Sequence, residues 1–218
     1  MADKSKRFPI QILFVSDGIV HPTLLCRVAL RSALQGLNGY QFLRVASLQA
    51  LPRLFSQPFE ALVLYFHHRA ISPAALSSLD DFVSRGGGVL AVHSALASFK
   101  QEARYEQILG GRFISHGPIQ PYAVEPAEGP DEIFGKIPAF ALKDELYRNT
   151  CAPDNRVHFW IPVDGKREPL VWTRHYGRGR VCCCAAGHTL SSLRQPAMRE
   201  ILRKGLAWVT TGRALQPI

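Results

Sequence analysis

The chain has 218 residues and a mass of 24.2 kDa, with 47% hydrophobic and 20% charged residues and a net charge of +9. A domain of this size buries roughly 70% of the surface its unfolded chain would expose, so it needs neither a metal nor a disulfide to fold. No apolar stretch reaches the ~20 residues that span a bilayer, and the basic residues are scattered with no aromatic-interleaved tract, which argues against membrane and nucleic-acid partners.

Met1 to Arg7 is polar and basic and lacks the apolar core of a signal peptide. Residues 1–7 are expected to be a disordered tail before a single domain over residues 8–213, and the protein is expected in the cytoplasm. Ile10 to Val15 is a short apolar run ending at Ser16-Asp17-Gly18, as a buried strand ends at a turn. His21-Pro22-Thr23 opens a helix to about Gly36, with an apolar stripe of Leu24, Leu25, Val28, Leu30 and Leu34. Phe42 to Ala46 reads as a second strand, Leu48 to Phe55 as a short helix, and Ala61 to Phe66 as a third, centrally buried strand. Ser72 caps a helix with Pro73 at its first position, and Gly86-Gly87-Gly88 ends it. Val89 to Val92 is a fourth strand that runs straight into His93 and Ser94, with a helical pattern following.

From about Gly110 to Arg180 turn residues are frequent. Pro118 to Val124, Val157 to Val163 and Leu170 to Thr173 read as shorter, partly antiparallel strands. Val181 to Ala185 resumes the buried sheet and ends at Gly187-His188, and Gln195 to Val209 is a closing amphipathic helix. Alternating strands and helices predict an α/β fold, a doubly wound and mostly parallel sheet with helices on both faces. In such a sheet ligands bind beyond the carboxyl ends of the strands, so the loops at Asp17 to His21, Phe66 to Ser72 and His93 should converge on one edge.

Cys182-Cys183-Cys184 is expected to be a buried strand in which cysteine serves as a small apolar residue, because strand neighbours point to opposite faces and no CxxC spacing is present. Gly86-Gly87-Gly88 precedes its strand, so it lacks the geometry of a phosphate cradle. Gly177-Arg178-Gly179-Arg180 reads as a hairpin turn. The net charge reads as a solubility feature.

Four of the eight histidines sit where strands or tight turns end, namely His21, His93, His116 and His188. Imidazole is a metal ligand, a general base or a hydrogen-bond donor near neutral pH. His93 and His188 share a place directly after a buried strand, so a functional role is preferred for them, with His21 and His116 evenly balanced. His67, His68, His158 and His175 read as ordinary hydrogen-bonded residues. Asp144-Glu145-Leu146-Tyr147 offers a general base or metal ligand, against the plainer reading of an acidic turn or helix start.

The ordered set Gly86 to Ala95, Leu109 to Phe113 with His116, Asp144 to Tyr147, Pro169 to Trp172, Gly177 to Val181 and Gly187-His188 resembles the ThuA-like (trehalose utilisation) family of the class I glutamine amidotransferase-like superfamily. His21-Pro22 also looks like a feature of that family. The resemblance implies a flavodoxin-like sheet and a protein of trehalose-type or keto-sugar metabolism. It places His93 where amidotransferases carry a nucleophilic cysteine, and His188 at their late histidine. Without a thiol there, thioester chemistry on glutamine is not available.

The expected catalytic residues are His93, His188 and Glu145, with His21, His116, Asp144, Tyr147 and Trp172 as substrate contacts. His93, His188 and His21 are the candidate ligands of a divalent metal such as zinc, although no HxH or HExxH spacing is present. No nucleotide cofactor is expected. The expected partner is a small-molecule carbohydrate, together with a second copy if an edge strand or the middle region supports a homodimer. Two functions fit: a sugar-modifying enzyme (lyase, isomerase or hydrolase), or a non-catalytic carbohydrate-binding or regulatory module on a degenerate amidotransferase-like fold.

Overall fold

The computed structural model describes residues 9–18, 22–35, 37–54 and 57–212. The expected tail over residues 1–7 and His21 lie outside the described residues. Nine strands, β1 (Ile10–Val15), β2 (Tyr40–Val45), β3 (Ala61–Leu64), β4 (Gly88–Val92), β5 (Phe113–Pro126), β6 (Phe140–Asn149), β7 (Arg156–Val163), β8 (Lys166–Tyr176) and β9 (Gly179–Cys184), form one sheet. Their order is β2-β1-β3-β4-β9-β8-β7-β5-β6.

The expectation of a mostly parallel sheet is corrected by this topology. Pairings among β2, β1, β3, β4 and β9 are parallel, whereas those joining β9, β8, β7, β5 and β6 are antiparallel. The parallel half follows the strand order of flavodoxin-like sheets. The long middle of the chain adds a second, antiparallel half, built from hairpins that need no crossover helix.

Six α-helices, α1 (Leu24–Gln35), α2 (Leu51–Leu54), α3 (Pro73–Ser84), α4 (Ala103–Leu109), α5 (Leu190–Arg194) and α6 (Pro196–Thr211), and two 3-10 helices, Leu48–Ala50 and His93–Ala97, complete the described fold. Cys182 and Cys183 are strand neighbours and face opposite ways. Gly205 of α6 lies so close to Cys182 that a Cβ there would come within 2.8 Å of its Sγ. Cys183 Sγ instead donates to the Leu109 carbonyl at the end of α4, 3.4 Å away. Helices therefore cover both faces at β9.

The central parallel strands β3 and β4 are buried end to end, and β1 and β9 over most of their length, as their apolar runs require, whereas β2 at the sheet's edge is partly exposed. Ser72 caps α3 by accepting from the Ala75 N–H, and Pro73 follows at the first turn. Gly177, at φ +58°, and Arg178 form the tight turn between β8 and β9. In α1 the apolar residues divide. Leu30 and Leu34 are buried with Cys26 and Ala33, but Leu24, Leu25 and Val28 are exposed, because α5 and α6 cover only one side of the helix.

The middle of the chain supplies the part that matters for the site. β5 pairs with β7 only through Glu125 and Pro126, while Phe113 to Val124 pairs with β6 and is bulged on both sides of His116. The β5–β6 hairpin thus leaves the rest of the sheet. Asp144 ties it to Gly187 and His188, just beyond the carboxyl end of β9. Asp144 to Tyr147 lies inside strand β6, and not in the turn or helix start that consecutive charges suggest.

Candidate functional site

His93 is delivered by the buried run of β4 and begins a short 3-10 helix over His93–Ala97. Its φ of +45° places a non-glycine residue in the left-handed region, a conformation that costs about 1–3 kcal/mol and clusters at functional sites. The side chain is wholly buried. Its Nδ1 lies 2.9 Å from the Ala185 carbonyl oxygen. A carbonyl only accepts, so Nδ1 carries the hydrogen and the lone pair of the neutral ring sits on Nε2.

Glu145 of β6 reaches over that nitrogen. Its Oε2 is 3.6 Å from His93 Nε2 and 3.2 Å from His188 Nδ1, and His93 Nε2 is 3.3 Å from His188 Nδ1. The other oxygen, Oε1, is 3.6 Å from Nδ1 of His116 on β5. Side-chain exposure rises from His93 (0%) through Glu145 (14%) and His188 (25%) to His116 (51%), so the cluster has a closed floor and an open mouth.

Neighbouring groups hold this arrangement. The Asp144 carboxylate accepts from the main-chain N–H groups of Glu145, Gly187 and His188. Burial pushes its carboxyl up, and hydrogen bonds from Ser192 and the Gly187 N–H act in the opposite direction. Gly187, at φ +133°, packs where a Cβ would come within 3.3 Å of His93 Cβ, so the late loop can lie directly on the imidazole. Tyr65 donates to the Gly187 carbonyl at 2.6 Å. The Tyr147 ring lies 4.1 Å from the His93 ring, centroid to centroid, and burial pushes its phenol well up, so it stays protonated.

The structure thus brings His93, His188, Glu145, His116, Asp144 and Tyr147 together. It does not bring Trp172, which is wholly buried in the core with its indole N–H donating to the Leu109 carbonyl at 2.9 Å. His158 is also buried, held between Asp131 Oδ2 at 2.6 Å and Thr173 Oγ1 at 2.7 Å, a structural histidine within a strand. Tyr65 and the Ala185 carbonyl are site residues that sequence reasoning missed. The Tyr65 hydroxyl, inside an otherwise apolar run, is the available signal, whereas a backbone carbonyl leaves none. His68, whose imidazole is held below its ordinary pKa by burial, lies 3.9 Å from Asp17 at the ends of β3 and β1.

Residues 12–209 match the family described as ThuA, trehalose utilisation. The chain belongs to the ThuA family. That membership is consistent with the class I glutamine amidotransferase-like superfamily. Among solved structures, a putative ThuA-like protein from Parabacteroides merdae ATCC 43184 is similar with a TM-score of 0.84 at 20% identity, over 96% of this chain and 93% of that one. One from Bacteroides uniformis ATCC 8492 has a TM-score of 0.80 at 17% identity, over 98% and 95% of the two chains. A cytoplasmic protein of Salmonella typhimurium LT2 has a TM-score of 0.70 at 16% identity, over 93% and 100%. At these identities the likeness is one of fold. No curated protein sequence matches the chain.

Proposed function

We propose that this ThuA-family protein acts on a carbohydrate, of the trehalose or keto-sugar type, at the cluster of His93, Glu145, His188 and His116, with a divalent ion such as zinc held by the first three. The observation that carries this reading is the spacing of three donor atoms. His93 Nε2, His188 Nδ1 and Glu145 Oε2 are separated by 3.3, 3.2 and 3.6 Å. The His93–His188 contact is a long hydrogen bond, and the two contacts to Glu145 exceed the roughly 2.7–2.9 Å of charge-assisted ones. Ligands bonded at about 2.1 Å around a tetrahedral ion lie roughly 3.4 Å apart, which matches the observed triangle. Two imidazoles and one carboxylate also make up a known catalytic zinc ligand set, with a fourth position left for water or substrate. The hydrogen of His93 Nδ1 is held by the Ala185 carbonyl, so the lone pair lies on Nε2, the nitrogen beside His188 and Glu145.

When bound, such an ion supplies Lewis acidity toward a sugar oxygen. The rest is done by the chain's own groups. His116, half exposed at the mouth, is placed to move a proton to or from a substrate, a transfer that lyase, isomerase and hydrolase chemistries on sugars all require. Tyr147 lines the floor as a neutral phenol. The trehalose-utilisation description of the family supports a carbohydrate substrate.

Glutaminase chemistry is disfavoured by the same turn, since His93 stands where a thiol would be needed. The nearby Cys184 is wholly buried, its thiol pushed up to about 12, and cannot replace it. No described helix is long and apolar enough to cross a membrane, and one structural neighbour is described as a cytoplasmic protein, which supports a cytoplasmic location.

Metal analysis of the purified protein beside His93→Ala and His188→Ala tests the centre, with roughly one ion per chain expected in the parent and little in either variant. Unchanged metal content in both variants overturns the ion. Thermal-shift screening against mono- and disaccharides and their keto forms, with product analysis, tests the substrate class. Binding without turnover would assign the protein to carbohydrate recognition or regulation, and no response to any sugar overturns the carbohydrate reading.

A further inference from the structure

We infer that Asp144 is a positioning residue, whose buried carboxylate clasps three main-chain N–H groups and so fixes the spacing between Glu145 and His188. Its sequence context, next to Glu145, suggests a substrate contact. The structure turns it inward instead, with no exposed surface. Oδ1 accepts from the Glu145 N–H at 2.9 Å, and Oδ2 accepts from the Gly187 N–H at 2.7 Å. The His188 N–H lies 3.1 and 3.2 Å from the two oxygens.

Glu145 and His188 belong to segments that no strand pairing joins, since β6 pairs with β5 and β9 pairs with β4 and β8. Something other than the sheet must therefore set the 3.2 Å separation of their side chains. The Asp144 carboxylate spans that gap and takes a further hydrogen bond from Ser192, and Thr189 Oγ1 adds a tie by donating to the Lys143 carbonyl at 2.9 Å. A carboxylate is also the side chain that fits. It only accepts, and the three main-chain groups facing it all donate, whereas an asparagine would set its own NH2 against at least one N–H. Charge-assisted hydrogen bonds of this kind are roughly twice as strong as neutral ones.

The inference rests on the proposed function for its metal readout only. Two variants and two measurements test it. Asp144→Asn removes the matched acceptor, and Thr189→Val removes the tie to Lys143 together with the cap that Thr189 Oγ1 gives the Ser192 N–H, while leaving the carboxylate in place. In metal-free protein, amide hydrogen exchange at Glu145, Gly187 and His188 is expected to accelerate at least ~10-fold in Asp144→Asn, while core amides of β1 and β3 stay protected. Zinc affinity is expected to fall about 10–100-fold in Asp144→Asn and to stay within about twofold in Thr189→Val.

Protection of the three amides unchanged in Asp144→Asn overturns the clasp. Equal loss of zinc affinity in both variants also overturns it, because general slackening of the loop would then be the cause. If the parent protein binds no zinc, the metal centre fails and the exchange readout alone decides the clasp. Should Asp144→Asn not fold, the parent decides: its three amide protons must be slow to exchange and shifted downfield, and rapid exchange there overturns the inference.

Discussion

His93 and Glu145 meet across a seam between two halves of one sheet that are held together differently. In the parallel half, β1, β3, β4 and β9 are buried runs, and the residues of interest are carried at their carboxyl ends, His93 after β4 and His188 beyond β9. In the antiparallel half, buried and exposed residues mix along β5, β6 and β7, β5 and β7 are interrupted by register shifts, and the functional residues lie within strands. The floor of the site is thus fixed by close packing, which changes little without large cost. Its wall is fixed by a few polar ties, which a single substitution can undo. Substitutions in the two halves should therefore fail in different ways.

The seam itself is the most sensitive place. Trp172 of β8 lies beside β9, wholly buried, and donates to the Leu109 carbonyl. Trp172→Ala leaves a large cavity and is expected to cost about 3–5 kcal/mol, measured by urea denaturation. Trp172→Phe keeps most of the ring and loses the hydrogen bond, so a smaller loss of about 1–2 kcal/mol is expected. A loss below ~1 kcal/mol for the alanine variant would show that the halves do not depend on this packing.

The same contrast explains what the sequence made legible. Ile12 to Val15, Ala61 to Phe66, Val89 to Val92 and Val181 to Cys184 are unbroken apolar runs, which only a strand buried on both faces needs, and the structure places them there. His93 and His188 followed from those runs because a residue just past a buried strand must emerge at the sheet's edge. β6 was not legible, since Lys143-Asp144-Glu145 looks like a turn. It carries a buried aspartate, two of whose partners, Gly187 and His188, lie more than 40 residues away. His116 was found as a residue near a turn, but its place in a bulged strand opposite Tyr147 depends on pairing that no local pattern encodes. Trp172, expected as a substrate contact, lies in the core because its strand is buried there.

Within the antiparallel half, acid should expose the reliance on polar ties. Burial acts to raise the Asp131 carboxyl, but hydrogen bonds from His158 and the N–H groups of Phe134 and Ile133 outweigh it, so its pKa is held below the ordinary value. A depressed carboxyl contributes stability that is present above the unfolded-state value and is lost as pH falls through the folded one. Stability of the parent protein should therefore decline as pH drops below about 4. Asp131→Asn should be less stable at neutral pH and show a shallower decline in acid, as read from thermal unfolding across pH. Parallel curves for the two proteins would remove Asp131 from the account.

The smallest effect is expected in the parallel half, where the sequence pattern overstated burial. Leu25 of α1 is 64% exposed and Leu30 is fully covered, although both belong to the apolar stripe. Burial, and not membership of the stripe, decides what a side chain contributes, because only surface removed from water stabilises the fold. Leu25→Ser is accordingly expected to change stability by no more than about 0.5 kcal/mol, against about 2–5 kcal/mol for Leu30→Ala. Chemical denaturation of the two variants side by side checks this. A loss above ~1 kcal/mol for Leu25→Ser would mean that this face of α1 is covered in solution, and that the parallel half has a second apolar side beyond the one packed on α5 and α6.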